Sequence, residues 1–184
     1  MPPADLLDTG DIAAVERYER HFYQAYTRLT DNRLVRRIWI FDDERQRVRT
    51  SIPYRDQVVY QWRPAPDAEP GCYLAVNLEV KRAFQSAHYG FTPEPGETCC
   101  EFLNVMTASP VPAGRLFAGF IRDVGMRDLV DRGFDVAYGT CTRRLLAPYL
   151  RLGAQHAAAR TIDGEERHLL RWPIGELTAR SGRG

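Results

Sequence analysis

Two ionisable side chains sit where acid–base chemistry is available to them. Tyr149 stands four positions before Gly153 in LLAPYLRLGA, at the end of a segment that patterns as a short helix. A phenol there can donate a proton or be one more packed ring, for it shares an apolar face with Leu145 and Leu152. Glu101 lies in the apolar segment CCEFLNVMTA. A carboxylate half-buried on a strand has its pKa raised by desolvation toward the range of a general base, while an ion pair with one of the many arginines is the competing reading.

The remaining reactive side chains form fewer patterns. Cys72, Cys99, Cys100 and Cys141 have neither C-x-x-C spacing nor a histidine at ligand distance, so the sequence predicts no metal site. Cys99 and Cys100 are adjacent in a strand pattern, which turns their thiols to opposite faces as buried structural groups. His88, His156 and His168 fit no triad, there is no G-x-S-x-G elbow, and His21 falls on the polar side of a helical stripe, where it is expected to be solvated. Arg115, Arg122, Arg143, Arg144 and Arg151 are the arginines of one loop and two predicted helices.

The chain that must position these groups has 184 residues, one domain's worth, and buries roughly 70% of its unfolded surface. Apolar residues make up 44% and charged residues 27%, the composition of a folded globular protein. A formal net charge of +1 argues against a general nucleic-acid binder, which needs a concentrated excess of Lys and Arg. Lys81 is the only lysine, a bias that fits GC-rich bacterial codon usage. No segment has the roughly 20 apolar residues of a membrane span or the pattern of a signal peptide, so a cytoplasmic location is expected.

Val15, Tyr18, Phe22, Ala25, Tyr26 and Leu29 define an amphipathic helix over about 12–29. RRIWIFDDERQRVRTSI patterns as an irregular strand or mobile loop. DQVVYQWRP and CYLAVNLEV form a hairpin around APDAEPG, FQSAHYGF holds a short helical turn, and CCEFLNVMTA is a further strand. Phe117, Phe120, Ile121 and Val124 at i, i+3, i+4 and i+7, with Leu129 and Val130, predict a helix over 116–132 that ends at Gly133. Strand FDVAYG, helix TRRLLAPYLRLG and strands QHAAAR and EERHLLRWPI follow. Residues 1–176 are expected to form one domain and 177–184 a disordered tail.

Over residues 99–172 this order and its intervals resemble the GNAT N-acyltransferases. Arg132-Gly133 closes the long helix, and Tyr149-Leu150-Arg151-Leu152-Gly153 closes the short one, as in that family. The resemblance implies an α/β (α+β) fold with a mixed, mostly antiparallel central sheet, whose fourth and fifth strands splay apart, flanked by helices. The family's diphosphate loop falls on Ala113, Gly114, Arg115, Leu116, Phe117 and Ala118. Ala113 takes the Gln/Arg position and Leu116 that of the central glycine, so two of three signature positions are lost. Diphosphate is held largely by backbone N–H groups and a helix N-terminus, which survive that loss.

A degenerate loop also occurs in the branch of acyl-homoserine-lactone and long-chain N-acyl amino acid synthases, whose fourth strand carries Glu-x-x-Arg. Here Glu101 matches and Asn104 departs. The resemblance implies transfer of an acyl group from an acyl-CoA or acyl carrier protein thioester to the amine of an amino acid, polyamine or peptide side chain. Glu101 would serve as base and Tyr149 as general acid at the thioester sulfur. Backbone N–H groups at Leu103, Asn104 and Val105 would meet the thioester oxygen. The loop and Arg143 would hold the donor, and Phe22, Tyr26, Phe84, Tyr89 and Phe91 would border the acyl or acceptor pocket. Two other readings stay open: a conventional acetyl-CoA-dependent acetyltransferase, and an inactive binding module of the same fold. No metal, nucleic acid or membrane partner is implied.

Overall fold

Alternation along CYLAVN builds the centre of the molecule. Cys72, Leu74 and Val76 face one hydrophobic cluster, and Tyr73 and Ala75 the opposite one, so this strand is buried on both sides. The computed structural model describes residues 5–27, 33–65, 67–79, 84–108 and 116–181, with the backbone alone at 116–118 and 180–181. In chain order the strands are β1 (Asp5–Leu6), β2 (Ile40–Asp42), β3 (Arg47–Arg49), β4 (Gln57–Trp62), β5 (Cys72–Asn77), β6 (Cys99–Thr107), β7 (Val136–Thr142), β8 (Gln155–Ile162) and β9 (Glu165–Trp172). The helices are α1 (Ile12–Thr27), α2 (Arg33–Ile38), α3 (Leu116–Met126), α4 (Arg127–Asp131), α5 (Arg143–Arg151) and α6 (Ile174–Ser181).

Seven strands form one sheet in the order β1-β4-β5-β6-β7-β9-β8, and β2 and β3 form a separate hairpin. Every pairing is antiparallel except β6 with β7. This is the mixed, mostly antiparallel sheet flanked by helices that the sequence predicts. On one face α1 buries Tyr18 and Phe22 against Tyr73, Leu103 and Met106. On the other, Phe120, Ile121, Met126 and Leu129 from α3 and α4 pack on Tyr60, Leu74, Cys100 and Phe102. Cys99 and Cys100 enter different clusters, as their adjacency in a strand requires.

Four expectations are corrected. The segment 36–52 is neither irregular nor a loop: α2 occupies Arg33–Ile38 and runs into the β2–β3 hairpin. Arg47 pins that hairpin to α1 through Glu16 and Glu19, each at 2.6 Å. The long helix begins with π winding over Leu116–Met126. Its i→i+5 bonds shift the buried stripe, so Gly125 and Met126 are buried where a 3.6-residue period puts Val124. Gly125 is needed there, because a Cβ would stand 2.6 Å from Leu74 Cδ2.

His21 is not merely solvated, since its Nδ1 lies 2.9 Å from the Tyr73 hydroxyl. Finally, order continues past 176 in α6. Ile174 is fully buried, and Leu177 packs on Gly153, while 182–184 lie outside the described residues. No helix among the described residues is long and apolar enough to cross a membrane.

Candidate active site

The sheet comes apart at one place. β6 and β7 pair from Cys99↔Val136 to Phe102↔Gly139 and no further. Beyond that point β6 stays with β5 as far as Thr107, and β7 stays with β9 as far as Thr142. The two strands therefore diverge, leaving Leu103–Thr107 and Thr140–Thr142 on either side of a wedge. Gly139 suits its apex, for a Cβ there would press on Phe102 Cβ at 3.3 Å.

The departure of β6 has a second cause. Asn104 pairs with Ala75 and Phe102 with Val76, so Leu103 is an extra residue, a β-bulge that bends the strand at the mouth of the wedge. Gln85 holds the gap open at a fixed width. Its Nε2 donates to the Leu103 carbonyl at 2.6 Å and its Oε1 accepts from Thr140 Oγ1 at 2.9 Å, so one side-chain amide spans the strands where their own ladder stops.

Glu101 positions Gln85. Its carboxylate accepts from the backbone N–H groups of Phe84, Gln85 and Ser86, all at 2.8 Å, from Ser86 Oγ at 3.0 Å and from Asn77 Nδ2 at 3.3 Å. The side chain is fully buried rather than half-buried. With its acceptor capacity spent on the 84–86 turn, it does not line the cavity in the wedge. The geometry makes Glu101 an anchor for the turn that carries Gln85, not a group facing a substrate.

That cavity has a volume of about 400 Å³, within the range of small-molecule sites. It passes through the sheet. On the α3 and α5 face its wall includes Phe102, Ile121, Cys141, Tyr149, Leu170 and Trp172. On the α1 face it includes Tyr26, Gln85, Leu103, Asn104, Thr140 and Arg167.

Tyr149 reaches the wall because α5 ends in a locked cap. Gly153, at φ +101°, lets its own N–H bond the Leu150 carbonyl and that of Ala154 bond the Tyr149 carbonyl, the two bonds of a Schellman motif. The ring lies edge-on to Trp172, with centroids 5.5 Å apart, and the hydroxyl has no hydrogen-bond partner among the described residues. Burial pushes this phenol up to about 12, and the neighbouring Cys141 adds to the shift. Burial likewise raises the Cys141 thiol to about 11, so it is held protonated and is a poor nucleophile.

Asn104 donates from Nδ2 to the Tyr18 hydroxyl at 2.8 Å, while its buried Oδ1 has no partner. Val105 lies on the cavity wall beside it. Of the predicted aromatic pocket only Tyr26 reaches the wall. Phe22 is core behind it at 4.4 Å, Phe84 packs on Trp39, Tyr89 is buried, and Phe91 lies tilted against Tyr138 with centroids 4.1 Å apart. Arg143 stands exposed on α5, bonded to Glu166 at 3.1 Å. Ala113, Gly114 and Arg115 lie outside the described residues, and Leu116, Phe117 and Ala118 are the start of α3.

Sequence reasoning missed Gln85, Thr140 and Arg167. Thr140 Oγ1 also accepts from Arg167 Nη2 at 3.1 Å, so the Gln85 amide, a hydroxyl and a guanidinium form one chain. In EERHLLRW nothing but strand alternation separates an inward Arg167 from the solvated arginines of an arginine-rich protein.

The sequence matches no family model and no curated protein. Solved structures do match. A CoA-dependent acyl-homoserine lactone synthase, MesI, superposes with a TM-score of 0.64 at 15% identity over 92% of this chain and 87% of its own. The fold is that of the GNAT N-acyltransferases. FeeM, an N-acyl amino acid synthase from uncultured soil microbes, gives 0.56 at 11% identity over 96% and 97%. The ribosomal-protein-S18-alanine N-acetyltransferase of Escherichia coli gives 0.55 at 13% over 95% and 94%. The likeness runs along nearly the whole length of each of these chains and concerns the fold alone.

Proposed function

We propose that the chain is an N-acyltransferase that moves an acyl group from a CoA or acyl carrier protein thioester to the amine of an amino acid or related molecule. The observation that carries this reading is the cavity through the sheet, with a phenol on one side and a polar wall on the other. A thioester entering from the α5 side has its sulfur beside Tyr149, and the bulged backbone at Leu103–Val105 supplies an N–H to its carbonyl oxygen, a contribution of about 2–4 kcal/mol. The amine enters from the α1 side. Its nitrogen forms the C–N bond, the C–S bond breaks, and the amine's proton balances the departing thiolate.

Magnitudes decide what Tyr149 does. A phenol at about 12 is a weaker acid than a thiol, even one that the same cavity raises to about 11 as it does Cys141, so complete proton transfer to the thiolate runs uphill. Tyr149 therefore acts as a hydrogen-bond donor to the developing thiolate, and the proton that neutralises it comes from the amine. The protonated Cys141 supports direct transfer without an acyl-enzyme.

Among the described residues no carboxylate lines the cavity, so the amine is taken up neutral or loses its proton to water. The rate should then rise with pH along the amine's ionisation and level off above it. The test is release of free thiol and formation of an amide when acetyl-CoA, a long-chain acyl-CoA and a long-chain acyl carrier protein are each supplied with a panel of amines. Amide formation supports the reading, with the preferred donor separating a long-chain enzyme from an acetyltransferase. Tight thioester binding with no amide from any amine would identify an inactive binding module.

A further inference from the structure

Gln85 is 4% exposed, lies on the cavity wall and carries no charge. Its amide touches both edges of the wedge. We infer that Gln85 is a positioning residue for the acyl transfer: by tying β6 to β7 where their ladder ends, it fixes the place at which a β6 backbone N–H meets the thioester oxygen. This inference rests on the acyltransfer reading above and assigns the side chain that sets its geometry.

Strand alternation identifies that N–H. Ala108, just past β6, gives its N–H to the Gly71 carbonyl on the β5 side, and the Leu103 carbonyl faces the β7 side, where it meets Gln85. Neighbouring residues of a strand direct their N–H and C=O groups to opposite sides, so both observations turn the Val105 N–H into the wedge. β7 has no ladder partner for it, because the two strands stop pairing at Phe102 and Gly139. What holds this stretch of β6 at a fixed distance from β7 is the side-chain bridge. The bridge also orients the bulge, since the Leu103 carbonyl is the acceptor of its 2.6 Å bond.

The bridge has a polarity that glutamine satisfies. β6 presents a carbonyl, which needs a donor, and β7 presents the Thr140 hydroxyl, which donates at 2.9 Å. A neutral amide supplies both an N–H and a C=O. An ionised glutamate has acceptors alone, whereas a protonated one again has a donor and an acceptor. The turn that carries the amide is itself fixed, by three backbone N–H bonds of 2.8 Å to the buried Glu101. The width of the wedge is therefore set before a thioester arrives, and a displacement of about 1 Å at the reacting atoms is worth about a hundredfold in rate.

The test measures kcat and KM with whichever amine, and whichever of acetyl-CoA, a long-chain acyl-CoA and a long-chain acyl carrier protein, the native protein uses fastest. Gln85→Met keeps the length of the side chain and loses both bonds. It should lower kcat by about ten- to a hundredfold and leave KM within about twofold. Gln85→Glu carries a sharper signature, for its protonated form restores the bridge and its ionised form does not. Its kcat relative to the native protein should fall as pH rises, although the same side chain fills the same space at every pH. Thr140→Val breaks the bridge from β7, and combined with Gln85→Met should cost well below the product of the two single losses. A native kcat in Gln85→Met, losses that multiply, or a Gln85→Glu ratio that does not fall with pH overturns the inference and leaves the acyltransfer reading intact. Should Gln85→Met not fold, the Gln85→Glu ratio, read beside a melting curve at each pH, still decides. Absence of amide from the native protein with every amine overturns both.

Discussion

At the scale of single residues, Tyr149 and Glu101 have exchanged importance with their surroundings. On the proposed mechanism Tyr149→Phe removes a hydrogen-bond donor to the leaving sulfur and nothing that the fold uses, since the hydroxyl has no partner among the described residues. The expected result is a fall in kcat of about tenfold or more with an unchanged thermal midpoint. Steady-state rates and a melting curve on the same preparation check it, and equal rates remove Tyr149 from the chemistry. Glu101→Gln should behave in the opposite way. It replaces a charged acceptor of five donors by a neutral group that must itself donate, costing about 3 kcal/mol. The midpoint should fall by roughly 6–12 °C, and any loss of activity should not depend on pH. A loss that disappears as pH rises would restore Glu101 as the base.

The elements explain why the place of Tyr149 at a capped helix end was legible in the sequence and that of Gln85 was not. The capped end of α5 is a local signature, because Tyr149 and Gly153 are bound to each other by the helix termination itself. Gly153 answers two demands: a left-handed backbone, and space, for a Cβ would lie 2.5 Å from Leu177 Cδ2 on α6. Gly153→Ala should therefore cost about 1–2 kcal/mol from the backbone alone. Adding Leu177→Ala should recover part of the remainder, so that the two changes are non-additive in thermal melts. Independent, additive losses would mean the helices do not bear on one another there. Gln85, by contrast, is recognised only once β6 and β7 are side by side, and strand partners distant in sequence are invisible to a reading of local pattern. The same is true of Arg167, and of the π winding that displaced Val124.

Over the whole molecule, the histidines and the loop before β6 tie stability to pH. Burial lowers the folded-state pKa of His168 below the ordinary value, outweighing the attraction of Glu166. Burial also lowers that of His88, with Arg37 reinforcing it. A group that binds protons more weakly when folded contributes stability above its unfolded pKa and loses it on acidification, here starting below about 6.5. Glu97, on which Arg171 from β9 and Tyr138 from β7 converge, follows the same sign at lower pH. Burial raises its pKa, the bonds from Arg171 and Tyr138 outweigh that, and the net depression is lost below about 4.3. The thermal midpoint should thus fall from pH 7 to 5 and again below about 4.3, with His168→Gln flattening the upper part and Glu97→Gln the lower. A midpoint that rises on acidification contradicts this.

The mixed, mostly antiparallel sheet and the divergence of two of its strands were legible only through the family resemblance that the order of strands and helices along 99–172 carries. The role of the segment beyond Trp172 was not, because TARSGRG is polar and α6 is held by two apolar residues ahead of it, Ile174 and a single leucine, Leu177. That leucine lies under Gly153, so α6 braces from behind the very turn that ends α5, and the last helix described is a prop for the element that carries Tyr149.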